Sequence, residues 1–505
     1  MPTHENTLDK LTNSRLLARN ALLNILGQSL PLLVALFAIP LLVNGLGTER
    51  FGVLAITWAV LGYFGLFDLG LGRVITLLIS SKLGQGEHAS VRPILNTGLL
   101  FMFLIGCIST AIVLSIAPLL VFNVLKIPAT LQEESVRAFR ILALALPFVT
   151  LTAGLRGALE SWQKFAIINL IRTLNGVFTF LAPLVVLQFT TNLHHIVLVL
   201  AMGRVIVCAV YFYVNRRNAP GEGEGGFKLA LVPSMFKLGS WISISNIIGP
   251  IMVYFDRFLI GAWLSMTAVS FYVTPYEIIT KLQVFPTAVA AVVFPALSSG
   301  YEIDTKRTEM IYSRSLRILA VLFFPIVFTV ICFADPGLRL WLGDEFAVNS
   351  GLVLQWLAIG VFMNAAGQIA LSFIQAAGRP DMTARLHLIE APIYIVILWL
   401  LTKYFGIPGV AMAWTFRISA DTIVLLCLVH FALKKKYAVL RSLLQWLGAA
   451  ILAFSAVFLL KEVALYIYYV CILVLWAAAS HKFMLSREEI EYLQSKMRFR
   501  IPRVL

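Results

Sequence analysis

Residues 20–43 read Asn20-Ala-Leu-Leu-Asn-Ile-Leu-Gly27-Gln-Ser-Leu-Pro31-Leu-Leu-Val-Ala-Leu-Phe-Ala-Ile-Pro40-Leu-Leu-Val43, with no charged side chain anywhere in the run. About 20 mainly apolar residues suffice for a helix to cross the hydrocarbon core, so this stretch predicts a membrane span. The pattern recurs along the whole chain. Of 505 residues, 60% are hydrophobic and 13% charged, and the mean hydropathy is +0.88. A soluble domain carries about 25% charged residues, and disorder needs low hydrophobicity with high charge. Both classes are excluded. The remaining class is an all-α integral membrane protein.

Fourteen apolar segments follow from the same reading: 20–43, 51–80, 94–122, 138–158, 165–188, 195–214, 238–262, 268–297, 313–333, 351–377, 384–402, 407–432, 440–460 and 463–481. Fourteen spans use roughly 280 residues, which leaves room only for short connections. Several segments are long enough to require tilt or breaks. Pro31 and Pro40 in the first, and Pro275, Pro286 and Pro295 in the eighth, each remove a backbone donor. Residues 1–19 are polar and the run after them is too long for a signal-peptide core, so it reads as a retained first span.

An even number of spans puts both termini on one side. With both in the cytoplasm, and charges near the segment ends counted with the flanking connections, the inner connections and tails hold 27 Lys and Arg and the outer ones 7, with six more deep inside segments, which accounts for all 40. That asymmetry is the positive-inside signature. It explains the net charge of +15 without a nucleic-acid partner. The five cysteines, Cys107, Cys208, Cys332, Cys427 and Cys471, lie in apolar segments without paired spacing and read as packing residues. Residues 1–19 form a cytoplasmic arm. The 215–237 connection contains Gly221-Glu-Gly-Glu-Gly-Gly226, a flexible linker composition. Residues 482–505 form a basic cytoplasmic tail, with 486–500 patterned as an amphipathic helix.

The chain also resembles itself. Shifted by 218, Ile39-Pro-Leu-Leu-Val-Asn-Gly-Leu46 lies over Arg257-Phe-Leu-Ile-Gly-Ala-Trp-Leu264. Shifted by 216, the fourth segment lies over the tenth. The expected plan is two pseudo-symmetric six-helix bundles, 20–214 and 238–432, joined by the 215–237 linker and followed by two extra transmembrane helices within 433–481. Both halves start in the cytoplasm, so they are parallel repeats about an axis along the membrane normal. Rocking two such bundles about a cavity between them is how transporters expose a site to each side in turn.

Ionisable residues at membrane depth cost about 2.5–3.5 kcal/mol each on insertion scales and mark sites by default. The positive ones are Arg73, Arg156, Arg204, Arg257, Lys281 and Arg417; the negative ones are Asp68, Asp256, Glu277, Glu390 and Asp421. Arg156/Glu160, Glu277/Lys281 and Arg417/Asp421 are spaced to neutralise one another on a helix face. Asp256 and Arg257 are adjacent, point about 100° apart, and satisfy each other poorly. Arg204 and Arg417 lie near mid-depth in the sixth and twelfth segments, the counterparts of the two halves. Arginine forks converging there would suit a pyrophosphate. The expected substrate-binding residues are therefore Asp256, Arg257, Arg204, Lys281 and Arg417, with Asp68, Glu277 and Asp421 as coupling or charge-compensating groups. His194-His195 has no third ligand nearby, so no metal site is expected. There is no nucleophile elbow, P-loop or metalloprotease motif. Hence no catalytic residue and no cofactor is expected, and any coupling ion is left unassigned.

Asn20…Gly27-Gln28…Pro40…Leu46-Gly47-Thr-Glu49-Arg-Phe51-Gly52, Phe67-Asp68-Leu-Gly70-Leu-Gly72 and Tyr254-Phe-Asp256-Arg257-Phe-Leu-Ile-Gly261 together resemble the polysaccharide (O-antigen) flippases of the multidrug/oligosaccharidyl-lipid/polysaccharide exporter superfamily, as does Tyr272…Pro295-Ala-Leu-Ser298. The resemblance covers about residues 20–430. It implies a flippase, not an enzyme, of the bacterial inner membrane, moving undecaprenyl-pyrophosphate-linked sugar repeat units to the periplasmic leaflet. Its partners would be the lipid-linked oligosaccharide, membrane lipids, and a polysaccharide polymerase with its chain-length regulator. By similarity Asp256 and Arg257 match the family's acidic–basic pair in the seventh helix. The first segment lacks the arginine of the peptidoglycan-precursor flippases and the acidic residue common in the drug antiporters. The alternatives are a cation-coupled multidrug exporter using Asp68, Glu277 or Asp421, and a membrane-embedded polymerase or glycosyltransferase. The latter is disfavoured by the short outer connections 123–137 and 334–350.

Overall fold

The computed structural model describes residues 14–63, 71–218, 226–227, 233, 252, 255–300, 305–433, 437–460 and 462–480. Asp68, residues 221–225 of the linker, most of the seventh segment and the 486–500 helix lie outside the described residues. Every regular element among the described residues is helical.

Helix α1, Ser14–Tyr63, carries the first span and the start of the second. It kinks at Gly47, whose φ of 78° and ψ of 161° fit glycine alone. Helices α2 (Leu71–Gly84) and α3 (Val91–Leu119) follow. The fourth segment is two helices, α4 (Ala129–Leu144) and α5 (Leu146–Ser161), parted at Ala145. Pro147 sits in the first turn of α5, where its missing N–H costs nothing. Helices α6 (Phe165–Leu187) and α7 (Leu193–Asn218) form the next pair. A helical stretch over 255–263 precedes α8, Met266–Ile279.

The chain divides into two compact units, Met1–Thr274 and Pro275–Leu505. In the first, Leu71, Val74, Ile75, Ile94, Met102 and Ala158 bring α2, α3 and α5 together. Leu155, Leu159, Ile168, Ile171, Cys208 and Tyr211 do the same for α5, α6 and α7. Small residues set the closest approaches, as between membrane helices generally. A Cβ on Gly52 would stand 2.0 Å from the Met266 carbonyl oxygen, and one on Gly157 2.3 Å from that of Gly72.

In the second unit, a 3₁₀ turn at Thr280–Gln283 joins α8 to α9, Val284–Gly300, so the proline-rich eighth segment is interrupted as its composition predicts. Helix α10 (Thr305–Cys332), the short α11 (Ala334–Leu342) and α12 (Asp344–Ala376) follow. Helix α13, Pro380–Leu433, holds the eleventh and twelfth segments on two arms that break at Gly406, φ 60° and ψ −135°. The two extra helices, α14 (Tyr437–Val457) and α15 (Glu462–Ala479), dock by aromatic stacking. Phe324 of α10 stacks on Trp476 of α15 with ring centroids 3.8 Å apart, and on Phe454 of α14 at 5.3 Å.

The duplication is visible in the element bounds. A shift of 216 carries α3 onto α10, α4 and α5 together onto α12, and the α6–α7 pair onto the two arms of α13. It places Thr190, in the α6–α7 turn, on Gly406.

Candidate functional site

The first unit holds three of the predicted site residues. Asp256 and Arg257 lie on the 255–263 helix and are 0% and 2% exposed. Asp256 is well satisfied: Tyr272 donates its hydroxyl to Oδ2 at 2.6 Å, and the Arg257 backbone N–H donates to Oδ1 at 2.7 Å. Adjacency alone predicts that at least one member of this pair faces another helix or a watery cavity. For Asp256 the partner is on another helix, a tyrosine of α8. A tyrosine sixteen residues downstream gives no spacing signal, so the sequence does not reveal it.

Arg204 is different. It sits midway along α7, half-buried, and among the described residues it carries no ion pair and no hydrogen bond. One turn along the same face, Cys208 lines an apolar groove of about 510 Å³ with Leu99, Phe103, Leu151, Leu155 and Phe212. A guanidinium one helical turn from a residue that lines an apolar groove is an amphipathic arrangement, suited to an anion attached to a hydrocarbon.

In the second unit, Lys281 lies on the 3₁₀ turn and pairs with Glu277 at 3.5 Å, as its spacing predicts. Arg156 and Glu160 of the first unit pair at the same distance. Arg417 and Asp421 use their spacing otherwise. The Arg417 guanidinium lies over the Tyr394 ring, 5.2 Å from its centroid. Asp421 turns to His387, whose Nε2 is 3.7 Å from Oδ1. Glu390 joins them. Membrane depth singles out Glu390 and Asp421 in the sequence but does not gather this trio. The signal that could have found it is His387-Leu-Ile-Glu390, two ligand-type side chains three apart on one helix face.

Outside the spans, burial lifts the Asp335 carboxyl of α11 above its ordinary range, against the pull of Arg339.

A family model described as polysaccharide biosynthesis protein matches residues 42–351. A Shigella flexneri protein assigned as an O-antigen transporter is 31% identical over 407 residues, 81% of this chain and 96% of the relative. This chain belongs to the polysaccharide biosynthesis protein family. A second relative in sequence, assigned as a flippase of low-salt glycan biosynthesis in Haloferax volcanii, is 26% identical over 191 residues, 38% of this chain and 40% of the relative. Among solved structures, the lipid II flippase MurJ in an inward closed conformation aligns with a TM-score of 0.71 at 13% identity, over 90% of this chain and 98% of that one. An inward-facing multidrug resistance MATE transporter of the MOP superfamily aligns with a TM-score of 0.68 at 16% identity, over 83% and 100%. At these identities the structural likeness establishes the fold alone: an all-α multi-pass membrane architecture, as the hydropathy and the repeat predict. The family membership makes it a transporter of polysaccharide biosynthesis and not an enzyme.

Proposed function

We propose that this protein flips undecaprenyl-pyrophosphate-linked oligosaccharide repeat units from the cytoplasmic to the periplasmic leaflet of the bacterial inner membrane by alternating access, for assembly of a surface polysaccharide such as O-antigen. The observation that carries the reading is Arg204. A guanidinium held at membrane depth with no protein partner among the described residues costs several kcal/mol unless an anion completes it. A pyrophosphate offers the bidentate geometry that arginine favours, and the neighbouring apolar groove suits the isoprenoid tail. The O-antigen assignment of the Shigella flexneri relative supports the substrate class.

In this reading Arg257, Lys281 and Arg417 add positive charge along the path, and both termini face the cytoplasm, as the lysine and arginine asymmetry requires. Asp256 holds Tyr272 and the adjacent backbone. Asp68, Glu277 and Asp421 compensate charge. The two bundles, 20–214 and 238–432, rock about the 215–237 linker, and a polymerase with its chain-length regulator receives the flipped lipid.

The test is a strain lacking this protein, complemented with wild type or Arg204→Ala. The deletion and the variant accumulate lipid-linked repeat units inside the cell and lose surface polymer, with the variant present in the membrane at wild-type amounts. Normal surface polymer from Arg204→Ala would remove the proposed site.

A further inference from the structure

The α13 hairpin gathers three side chains of metal-ligand type. His387 and Glu390 share a face of its first arm, and Asp421 reaches them from the second arm across the Gly406 break. One ligand atom from each lies within 4.8 Å of the other two. The 3.7 Å between His387 Nε2 and Asp421 Oδ1 is too long for a hydrogen bond. It is near the roughly 3.4 Å that separates neighbouring ligands around a tetrahedral ion with bonds of about 2.0–2.1 Å.

The carboxylates themselves point to a missing ligand. Among the described residues, both Glu390 oxygens and Asp421 Oδ1 are buried and find no hydrogen-bond donor, and Asp421 is only 8% exposed. Buried acceptors left unmet are costly, and two carboxylates side by side repel. Helix α12, which packs on α13, carries no charged residue besides Asp344 and Glu345 in its first turn, so it offers no cation for the pair. Nor does the fold demand these charges. The shift of 216 places His387, Glu390 and Asp421 on Ile171, Leu174 and Val205, and the α6–α7 pair forms with those apolar residues.

We infer that His387, Glu390 and Asp421 form a site for one divalent transition-metal ion of the zinc or manganese type. Two carboxylates balance a dication, which leaves the Arg417 guanidinium, one turn from Asp421, as the remaining charge beside the filled site. The imidazole nitrogen favours such an ion over magnesium, calcium or sodium, which take oxygen ligands. Bound there, the ion ties the two arms of α13 across their break. His387 is partly exposed and gives the ion an entry. This site shares Asp421 with the charge-compensating groups named above, but it stands apart from the lipid-phosphate site at Arg204, which lies in the other unit.

The test uses the purified full-length chain in detergent, stripped with a chelator and desalted, then exposed to zinc or manganese. His194 and His195 are changed to alanine throughout, to silence the histidine pair on α7. Bound metal is counted by elemental mass spectrometry, and thermal unfolding is followed alongside. The expected result is one ion per chain and a raised unfolding midpoint. Glu390→Gln and Asp421→Asn each weaken binding at least tenfold, while Asp421→Glu, which keeps a ligand oxygen, retains most of it. No bound metal in the parent chain would overturn the proposal. So would unchanged binding in Glu390→Gln and Asp421→Asn, or stabilisation by sodium alone. None of these readouts involves lipid, so the outcome is independent of the transport reading.

Discussion

The α6–α7 pair and the two arms of α13 are the same piece of architecture built twice, and they treat polarity in opposite ways. In the first, Ile171 packs with Cys208 and Tyr211, and the positions matching Glu390, Arg417 and Asp421 are Leu174, Ala201 and Val205. In the second, the equivalent positions hold a histidine, two acids and an arginine. A helical hairpin that folds with aliphatic residues has no structural need of ions. The charges of α13 are therefore there for something to bind. The Asp256 environment makes the complementary point. That carboxylate is more deeply buried than Asp421, yet both its oxygens have donors. A satisfied buried charge is part of the scaffold, and an unsatisfied one marks a ligand.

This contrast can be broken by substitution, beginning where the packing is tightest. Gly52→Ala drives a methyl group to 2.0 Å from the Met266 carbonyl oxygen. Overpacking of this kind costs about 1–3 kcal/mol and sometimes more, so the unfolding midpoint in detergent should fall further than for any other change named here. Tyr272→Phe comes next. It removes a hydrogen bond to a buried charged group, worth about 1.5–3 kcal/mol, read as a lower midpoint without a change in metal binding. If Tyr272→Phe leaves stability untouched, Asp256 is not the scaffold element described here. Lys281→Ala removes one partner of a pair in which Lys281 is 45% exposed. Such pairs are worth about 0–1 kcal/mol, and the midpoint should barely move.

The smallest loss of stability belongs to the exchange of His387→Ile, Glu390→Leu and Asp421→Val, which writes the first hairpin's residues into the second. Replacing buried ionic groups with apolar ones is often neutral or stabilising. The triple variant should accumulate normally, melt no lower than the metal-free parent, and show no response to zinc. Its failure to fold would mean that the trio is structural after all, and the two hairpins would then differ in packing and not in ligand.

Much of this architecture is legible in the amino-acid sequence, because the bilayer imposes it. Apolar runs of spanning length, proline in the eighth segment and the repeat at 216 each follow from a linear pattern, and the Thr190–Gly406 match agrees with them. Pairs at i,i+4 such as Glu277–Lys281 are legible for the same reason. Contacts between helices are not. Tyr272 reaches Asp256 across a helix break, and Asp421 reaches His387 across Gly406. Hydropathy records how deep a residue lies in the membrane and says nothing of the face it presents to a neighbour. The division of α4 from α5 is likewise hidden, since Ala145 and Leu146 look like ordinary span residues.

The central claim is that Arg204 receives the phosphate of a lipid-linked sugar. Its most direct test is flipping of a fluorescent polyprenyl-pyrophosphate-linked sugar by the purified full chain in proteoliposomes, comparing wild type, Arg204→Lys and Arg204→Ala. Losing a hydrogen-bonded charge contact of about 1.5–3 kcal/mol predicts a rate at least tenfold lower for Arg204→Ala, with Arg204→Lys in between. Equal rates for all three proteins would contradict the account.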